Sequence, residues 1–200
     1  MAQRARGGAE AMVLAAGLGL RMRPLSLLRA KPALPVLNRP LLGVLLAQLE
    51  AAGCVQVAVN THHLAGMVQD FLQSQPWSFF LSVRQEAEIL GTGGGLRGLG
   101  EALGGGPFLA LNGDILADLD LAAIYRAHRQ EAVTTLVLHD CQPYNNVWIR
   151  DGAVVSVGEP PAVAAEGPLA YTGVQVVGPQ MAELSNHCLI TLPLGPSVQR

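Results

Sequence analysis

The chain has 200 residues, enough for one sizeable hydrophobic core but short for two. Half of its residues are hydrophobic, 14% are charged and the formal net charge is −2. That balance excludes an intrinsically disordered chain and a generally basic nucleic-acid binder, so any cationic function has to be local.

Met1–Glu10 reads as a loose, disordered leader. Arg4 and Arg6 precede an apolar Ala11–Leu20 of signal-peptide length, but Gly17, Gly19 and the following Arg21-Met22-Arg23-Pro24 leave no cleavage site. Ala11–Ala15 is a continuous apolar run ending in a glycine pair, the pattern of a buried parallel strand and its turn. A loop punctuated by Pro24, Pro32, Pro35 and Pro40 follows, then a leucine-rich helix over Leu41–Ala52 closed by Gly53. Val55–Asn60 is the next strand, and Thr61 is placed to cap a helix over Leu64–Leu72. Phe79–Val83 gives a third strand, and Leu90–Leu96 opens a helix running to about Leu103.

Pro107–Asn112 is a fourth strand with Gly113-Asp114 at its end. A helix is expected within Ala117–Gln130, starting after Asp118 or Asp120, and Val133–His139 is a fifth strand. Asn146–Arg150 and Val154–Val157 flank Asp151-Gly152 as a hairpin. Tyr171–Val177 is a further strand, and Pro179–Leu184 a short helix. The strand-helix alternation predicts an open, mostly parallel, three-layer α/β sheet, with ligands bound beyond the carboxyl ends of its strands.

Three features fall on that edge. Gly17-x-Gly19 lacks the third glycine of a dinucleotide fingerprint, and the Gly-Lys-Ser/Thr ending of the P-loop is absent. The turn can still aim backbone N–H groups at an anion, with the Arg21 guanidinium beside it, and such positive groups suit a triphosphate. Of the thirteen basic residues only Lys31 is a lysine, which singles it out against the alternative of a surface lysine that drifted in. The second feature is Leu90–Gly95, whose glycines permit close approach of a base or phosphate, or else form an ordinary helix entry. The third is Asp114, a carboxylate able to hold Mg²⁺ or to cap the next helix.

Cys54, Cys141 and Cys188 have neither C-x-x-C spacing nor a histidine at zinc spacing, and read as free thiols of a reducing, cytoplasmic compartment. No apolar run approaches the roughly twenty residues of a membrane helix. The adjacent His62 and His63 read as capping or surface residues.

These motifs in combination resemble the sugar-1-phosphate nucleotidyltransferases, or nucleotide-sugar pyrophosphorylases. The family's Leu-Ala-Ala-Gly-x-Gly-x-Arg opening, its Lys-Pro-x-x-Pro-Val and its Arg/Lys-Pro-Leu are matched by Leu14–Leu25, Lys31–Val36 and Arg39–Leu41. Leu90–Gly94, with Glu86 and Glu88 before it, resembles the family's Leu-Gly-Thr-x-Gly segment. Asn112–Asp114 resembles its Asn-Gly-Asp, and Tyr171–Val174 its late aromatic-x-Gly strand. Nearest in flavour are the N-acetylmuramic acid 1-phosphate uridylyltransferases and the mannose-1-phosphate guanylyltransferase-like proteins.

The resemblance implies a Rossmann-like nucleotide-diphospho-sugar transferase fold over residues 11–184 and transfer of a nucleoside monophosphate to a sugar 1-phosphate. UTP or GTP is the implied donor and Mg²⁺ the implied cofactor; a homo-oligomer fits, and neither nucleic acid nor membrane is an expected partner. Arg21, Lys31 and Asp114 would be catalytic, with Asp114 the metal ligand. Leu14, Ala15, Ala16, Gly17, Gly19, Glu86, Gly91, Thr92, Gly93 and Gly94 would line the nucleotide, and Asn112, Gly113, Glu159, Tyr171 and Gly173 the sugar. The chain departs from the pattern at Leu20, where threonine is usual, and at Glu159-Pro160-Pro161, where many members carry a lysine. Residues 185–200 form an atypical tail in place of a segment bearing a second metal-binding aspartate, so a C-terminally truncated fold is expected. A catalytically impaired nucleotide-binding regulatory module is the alternative.

Overall fold

The computed structural model describes residues 8–100 and 102–182. At its centre lies β1 (Ala9–Leu14), pairing in parallel with β4 (Cys54–Thr61) on one side and β6 (Phe108–Asn112) on the other. Ala11, Met12 and Val13 are fully buried, because both faces of this strand are covered. Ala11 and Val13 pack with α2 (Leu41–Ala51), α3 (Ala65–Gln73) and α5 (Leu121–Arg126). Met12 packs with Leu96 of α4 (Gly91–Gly100) on the opposite face. Leu42, Leu45, Leu46 and Leu49 of α2 are buried almost completely, and truncating one of them to alanine costs about 2–5 kcal/mol.

On the far side of β4 runs β5 (Phe80–Gln85), also parallel. Beyond β6 the sheet becomes mixed. There β10 (Glu166–Val177) pairs antiparallel with β6 and with β7 (Thr134–His139). The first half of β10 pairs instead with β8 (Val147–Arg150), whose hairpin partner is β9 (Ala153–Val157). The expected mostly parallel three-layer architecture is therefore present, and β1, β4, β5 and β6 all deliver their carboxyl ends to one edge.

Several local expectations are corrected. Strand β1 begins at Ala9, inside the segment read as leader. Thr61 does not cap α3: it stays in the β4–β5 ladder opposite Gln85, and the helix starts after Leu64, a left-handed residue. Helix α5 does start after Asp120, one of the two expected positions, with the Asp120 side chain accepting the Ala123 amide at 2.8 Å, and it is shorter than the expected span. Strand β10 starts before Tyr171, since its first half belongs to the β8–β9 ribbon. The proline loop contains a single helical turn, α1 (Leu25–Leu28), and a two-residue hairpin, β2 (Pro35–Val36) with β3 (Arg39–Pro40), turned by Leu37 and Asn38 at positive φ. The short helix read at Pro179–Leu184 is a 3-10 turn over Pro179–Ala182; its last residues, and the tail 185–200, lie outside the described residues.

Candidate active site

At the carboxyl edge of β1, β4, β5 and β6 the chain leaves a cleft of about 470 Å³, within the roughly 300–1,000 Å³ of small-molecule sites. Its floor is built from the ends of β1 and β6. The Gly113 amide donates to the Leu14 carbonyl at 2.8 Å, and a Cβ on Gly113 would sit 2.8 Å from that oxygen. Glycine is therefore what lets the two strand ends close, carrying Asn112 and Asp114 to the cleft.

One wall is the loop after β1. Gly19 adopts φ +63° and heads a 3-10 turn over Leu20–Met22, with the Met22 amide donating to the Gly19 carbonyl at 2.8 Å. A Cβ on Gly19 would lie 3.1 Å from the Ser26 Cβ and 3.2 Å from the Lys31 Cβ. The loop thus folds tightly on itself and sets Arg21 and Lys31 in the same cleft. Lys31 starts a second 3-10 turn, Lys31–Ala33, anchored by the buried Ala30, Pro32 and Ala33. The Lys31 ammonium is paired with the Asp114 carboxylate. Arg21 forms no ion pair among the described residues, so its guanidinium is available to an anion.

The opposite wall is the end of β5. The Glu86 side chain is buried, 6% exposed, with Oε1 accepting from Asn60 Nδ2 at 2.8 Å and Oε2 from the Leu90 amide at 3.3 Å. His62 Nδ1 lies 2.9 Å from the Glu86 carbonyl and His63 Nε2 2.7 Å from the Ser26 carbonyl. A carbonyl only accepts, so both rings donate. The two histidines thus tie the end of β4 to both walls, where the sequence suggested capping or surface roles. Gly91, with φ +67°, opens α4 at the rim.

Of the residues expected at the site, Leu14, Ala15, Ala16, Gly17, Gly19, Arg21, Lys31, Glu86, Gly91, Thr92, Asn112, Gly113 and Asp114 converge on this cleft. Gly93 and Gly94 lie in α4 and do not line it; the bare Cα of Gly94 makes room for the Leu90 Cβ, only 2.6 Å from an added methyl. Gly173 packs behind Asn112, where an added Cβ would be 3.0 Å from Asn112 Nδ2. Tyr171, on β10, and Glu159, whose carbonyl accepts from the Ser156 hydroxyl at 2.6 Å, lie outside the lining. Asn60, Leu20, Met22, Pro32 and Ile89 also line the cleft, although sequence reasoning does not single them out. Asn60 alone carries a readable signal, a polar residue closing an apolar parallel strand on the ligand edge.

A glycine turn, a guanidinium with no ion pair among the described residues and a lysine-carboxylate pair stand together at the carboxyl edge of parallel strands, the edge where α/β sheets bind their ligands. Residues 10–148 match the nucleotidyl transferase family profile. N-acetylmuramate alpha-1-phosphate uridylyltransferase of Neisseria meningitidis is 32% identical over 181 residues, covering 86% of this chain and 76% of the relative. UTP–glucose-1-phosphate uridylyltransferase of Synechocystis is 30% identical over 194 residues, 87% of this chain and 50% of the relative. The crystal structure of HddC from Yersinia pseudotuberculosis complexed with GMP-PN shares the fold, with a TM-score of 0.77 at 20% identity over 93% of this chain and 89% of that one. The chain belongs to the nucleotidyl transferase family, and it spans about three quarters of the first relative's length and half of the second's.

Proposed function

We propose that the chain transfers a nucleoside monophosphate from a nucleoside triphosphate, UTP or GTP, to a sugar 1-phosphate, releasing pyrophosphate and an NDP-sugar. The observation that carries this reading is the convergence of Arg21, Lys31 and Asp114 on one cleft beside a glycine turn. It is supported by relatives whose names specify uridylyl transfer to sugar 1-phosphates.

In this mechanism a phosphate oxygen of the sugar 1-phosphate attacks the α-phosphorus in line, the bond from that phosphorus to the bridging oxygen breaks, and pyrophosphate leaves. Such chemistry asks for positioning and charge neutralisation rather than a protein nucleophile. The turn at Gly17–Gly19 offers backbone N–H groups to the triphosphate, and Arg21 holds the β- and γ-phosphates as they accumulate charge. Lys31 transfers its ammonium from Asp114 to the α-phosphate as the substrate enters, which frees the carboxylate.

Two carboxylates line the cleft, and of these Glu86 is held by Asn60 and the Leu90 amide, which leaves Asp114 as the candidate Mg²⁺ ligand; no cluster of three or more His, Cys, Asp or Glu forms among the described residues. A hard cation that takes one or two carboxylates and completes its shell with waters and substrate phosphates fits Asp114. Bound there, the ion would neutralise phosphate charge as a Lewis acid.

Interstrand spacings of about 4.8 Å put β5 and β6 about 14 Å apart across the edge, room for an extended nucleotide. By the resemblance to the family, the base would lie toward Glu86, Gly91 and Thr92, the phosphates over Leu14–Gly19, and the sugar toward Asn112; Tyr171, Gly173 and Glu159, the other sugar-side positions the resemblance implies, lie outside the cleft lining. The free thiols of Cys54 and Cys141 support a reducing, cytoplasmic setting. Among the described residues no helix is long and apolar enough to cross a membrane.

The test is pyrophosphate release from a panel of triphosphates and sugar 1-phosphates with Mg²⁺. Release that requires both substrates is expected; triphosphate binding without release would mark the chain as a binding module instead.

A further inference from the structure

The geometry points to Asn60 as the positioning residue that sets the phosphate loop and the base wall of the cleft relative to each other. This inference rests on the nucleotide reading of the cleft and deepens it.

Asn60 is buried, 3% exposed, and stands near the end of β4 between β1 and β5. Its Oδ1 accepts the Ala15 amide at 2.7 Å, and its Nδ2 donates to Glu86 Oε1 at 2.8 Å. Ala15 and Glu86 are each the first residue past their strands; the Glu86 amide still donates to the Thr61 carbonyl at 2.8 Å, whereas the Ala15 amide takes the Asn60 side chain as its acceptor. Glu86 continues the chain of bonds through Oε2 to the Leu90 amide. One side chain therefore links the start of the Ala15–Gly19 loop to the turn that opens α4.

Asparagine is the residue this position requires. The Ala15 N–H can only donate and the Glu86 carboxylate only accepts, so the partner needs one acceptor and one donor on a short stem, and the amide orientation follows. Its space is closed as well: a Cβ on Gly95 of α4 would sit 3.0 Å from Asn60 Nδ2. The change Asn60→Asp would keep the bond to Ala15 while setting a second carboxylate against Glu86. Adding Glu86→Gln would turn that repulsion back into a bond, with the new amide donating to the introduced carboxylate and its carbonyl accepting the Leu90 amide.

The full chain and its variants are titrated with UTP and GTP by calorimetry, and KM and kcat are read separately for triphosphate and sugar 1-phosphate. Losing a hydrogen bond to a charged group predicts triphosphate binding about tenfold to a hundredfold weaker in Asn60→Asp. The KM for sugar 1-phosphate stays near that of the unaltered protein. Glu86→Gln alone is also impaired, and the double change N60D/E86Q recovers most of the lost affinity. If Asn60→Asp does not fold, Asn60→Ser is read in the same way, with loss of triphosphate affinity expected. Triphosphate affinity unchanged in the Asn60 variant overturns the proposal. So does a double variant no better than the two single losses combined, which is what a merely structural role gives. An unaltered protein that binds neither nucleotide fails at the earlier step: it removes the nucleotide reading itself, and the role of Asn60 with it.

Discussion

The Lys31 ammonium and the Asp114 carboxylate, 83 residues apart in sequence, form an ion pair on the floor of the cleft. Each has a quarter to a third of its side chain exposed, so the pair contributes little to stability, about 0–1 kcal/mol. Its importance is electrostatic readiness: in the absence of phosphate, each group stores the charge the other must release.

Lys31→Ala and Asp114→Ala are therefore expected to lower kcat by about a hundredfold or more, the scale of losing one group aimed at developing charge. Thermal unfolding should move by no more than a few degrees. Pyrophosphate release and a melting curve on the same preparations check both halves. Turnover near that of the unaltered protein in either variant would sink the assignment of these residues.

Gly19→Ala puts a side chain into a left-handed conformation and against Ser26 and Lys31. The expected cost is about 1–2 kcal/mol of stability. Because the loop must open to admit the methyl group, the KM for triphosphate should rise more than that for sugar 1-phosphate. Steady-state kinetics with each substrate varied in turn check this.

Asp120→Ala removes the cap of α5, a helix that contributes no residue to the cleft. Stability should fall by about 1 kcal/mol, with kcat and KM unchanged. Urea unfolding and kinetics on one sample separate the two effects.

Burial pushes the Cys54 thiol up to about 11 from an ordinary 9.0. Between those values the unfolded chain has lost the proton that the folded chain keeps. Stability therefore falls as pH rises through this window, by an amount on the order of 2 kcal/mol. Cys54→Ala should flatten this alkaline decline, which urea titrations at about pH 8 and about pH 10.5 measure, on either side of the thiol's ordinary range. Decline of equal steepness in the variant would assign it to other groups.

Much of this arrangement is legible in the chain. A continuous apolar run into Gly17-x-Gly19 reads as a doubly covered strand and a tight turn, and Asn112-Gly113-Asp114 closes another such strand on the same edge. The Asp120 cap is readable too, because a short carboxylate before an apolar helical face has one obvious amide to accept. What local pattern does not contain is how distant segments meet. Asn60 reads as an ordinary polar end to a strand, since its partners Ala15 and Glu86 are 45 and 26 residues away. The hairpin turned by Leu37-Asn38 carries none of the glycine that usually marks positive φ at both central positions. The division of β10 among β6, β7 and β8 depends on those strands, and no periodicity within residues 166–177 records it.

The most direct test of the central claim follows the phosphorus. Triphosphate labelled at the α-position is incubated with sugar 1-phosphate, Mg²⁺ and the full chain, in parallel with triphosphate labelled at the γ-position. The α-label is predicted to pass into an NDP-sugar and the γ-label into pyrophosphate, only when sugar 1-phosphate is present and not with Lys31→Ala. Gamma label released as orthophosphate, or α-label that never reaches a sugar across the panel, would contradict nucleotidyl transfer at this cleft.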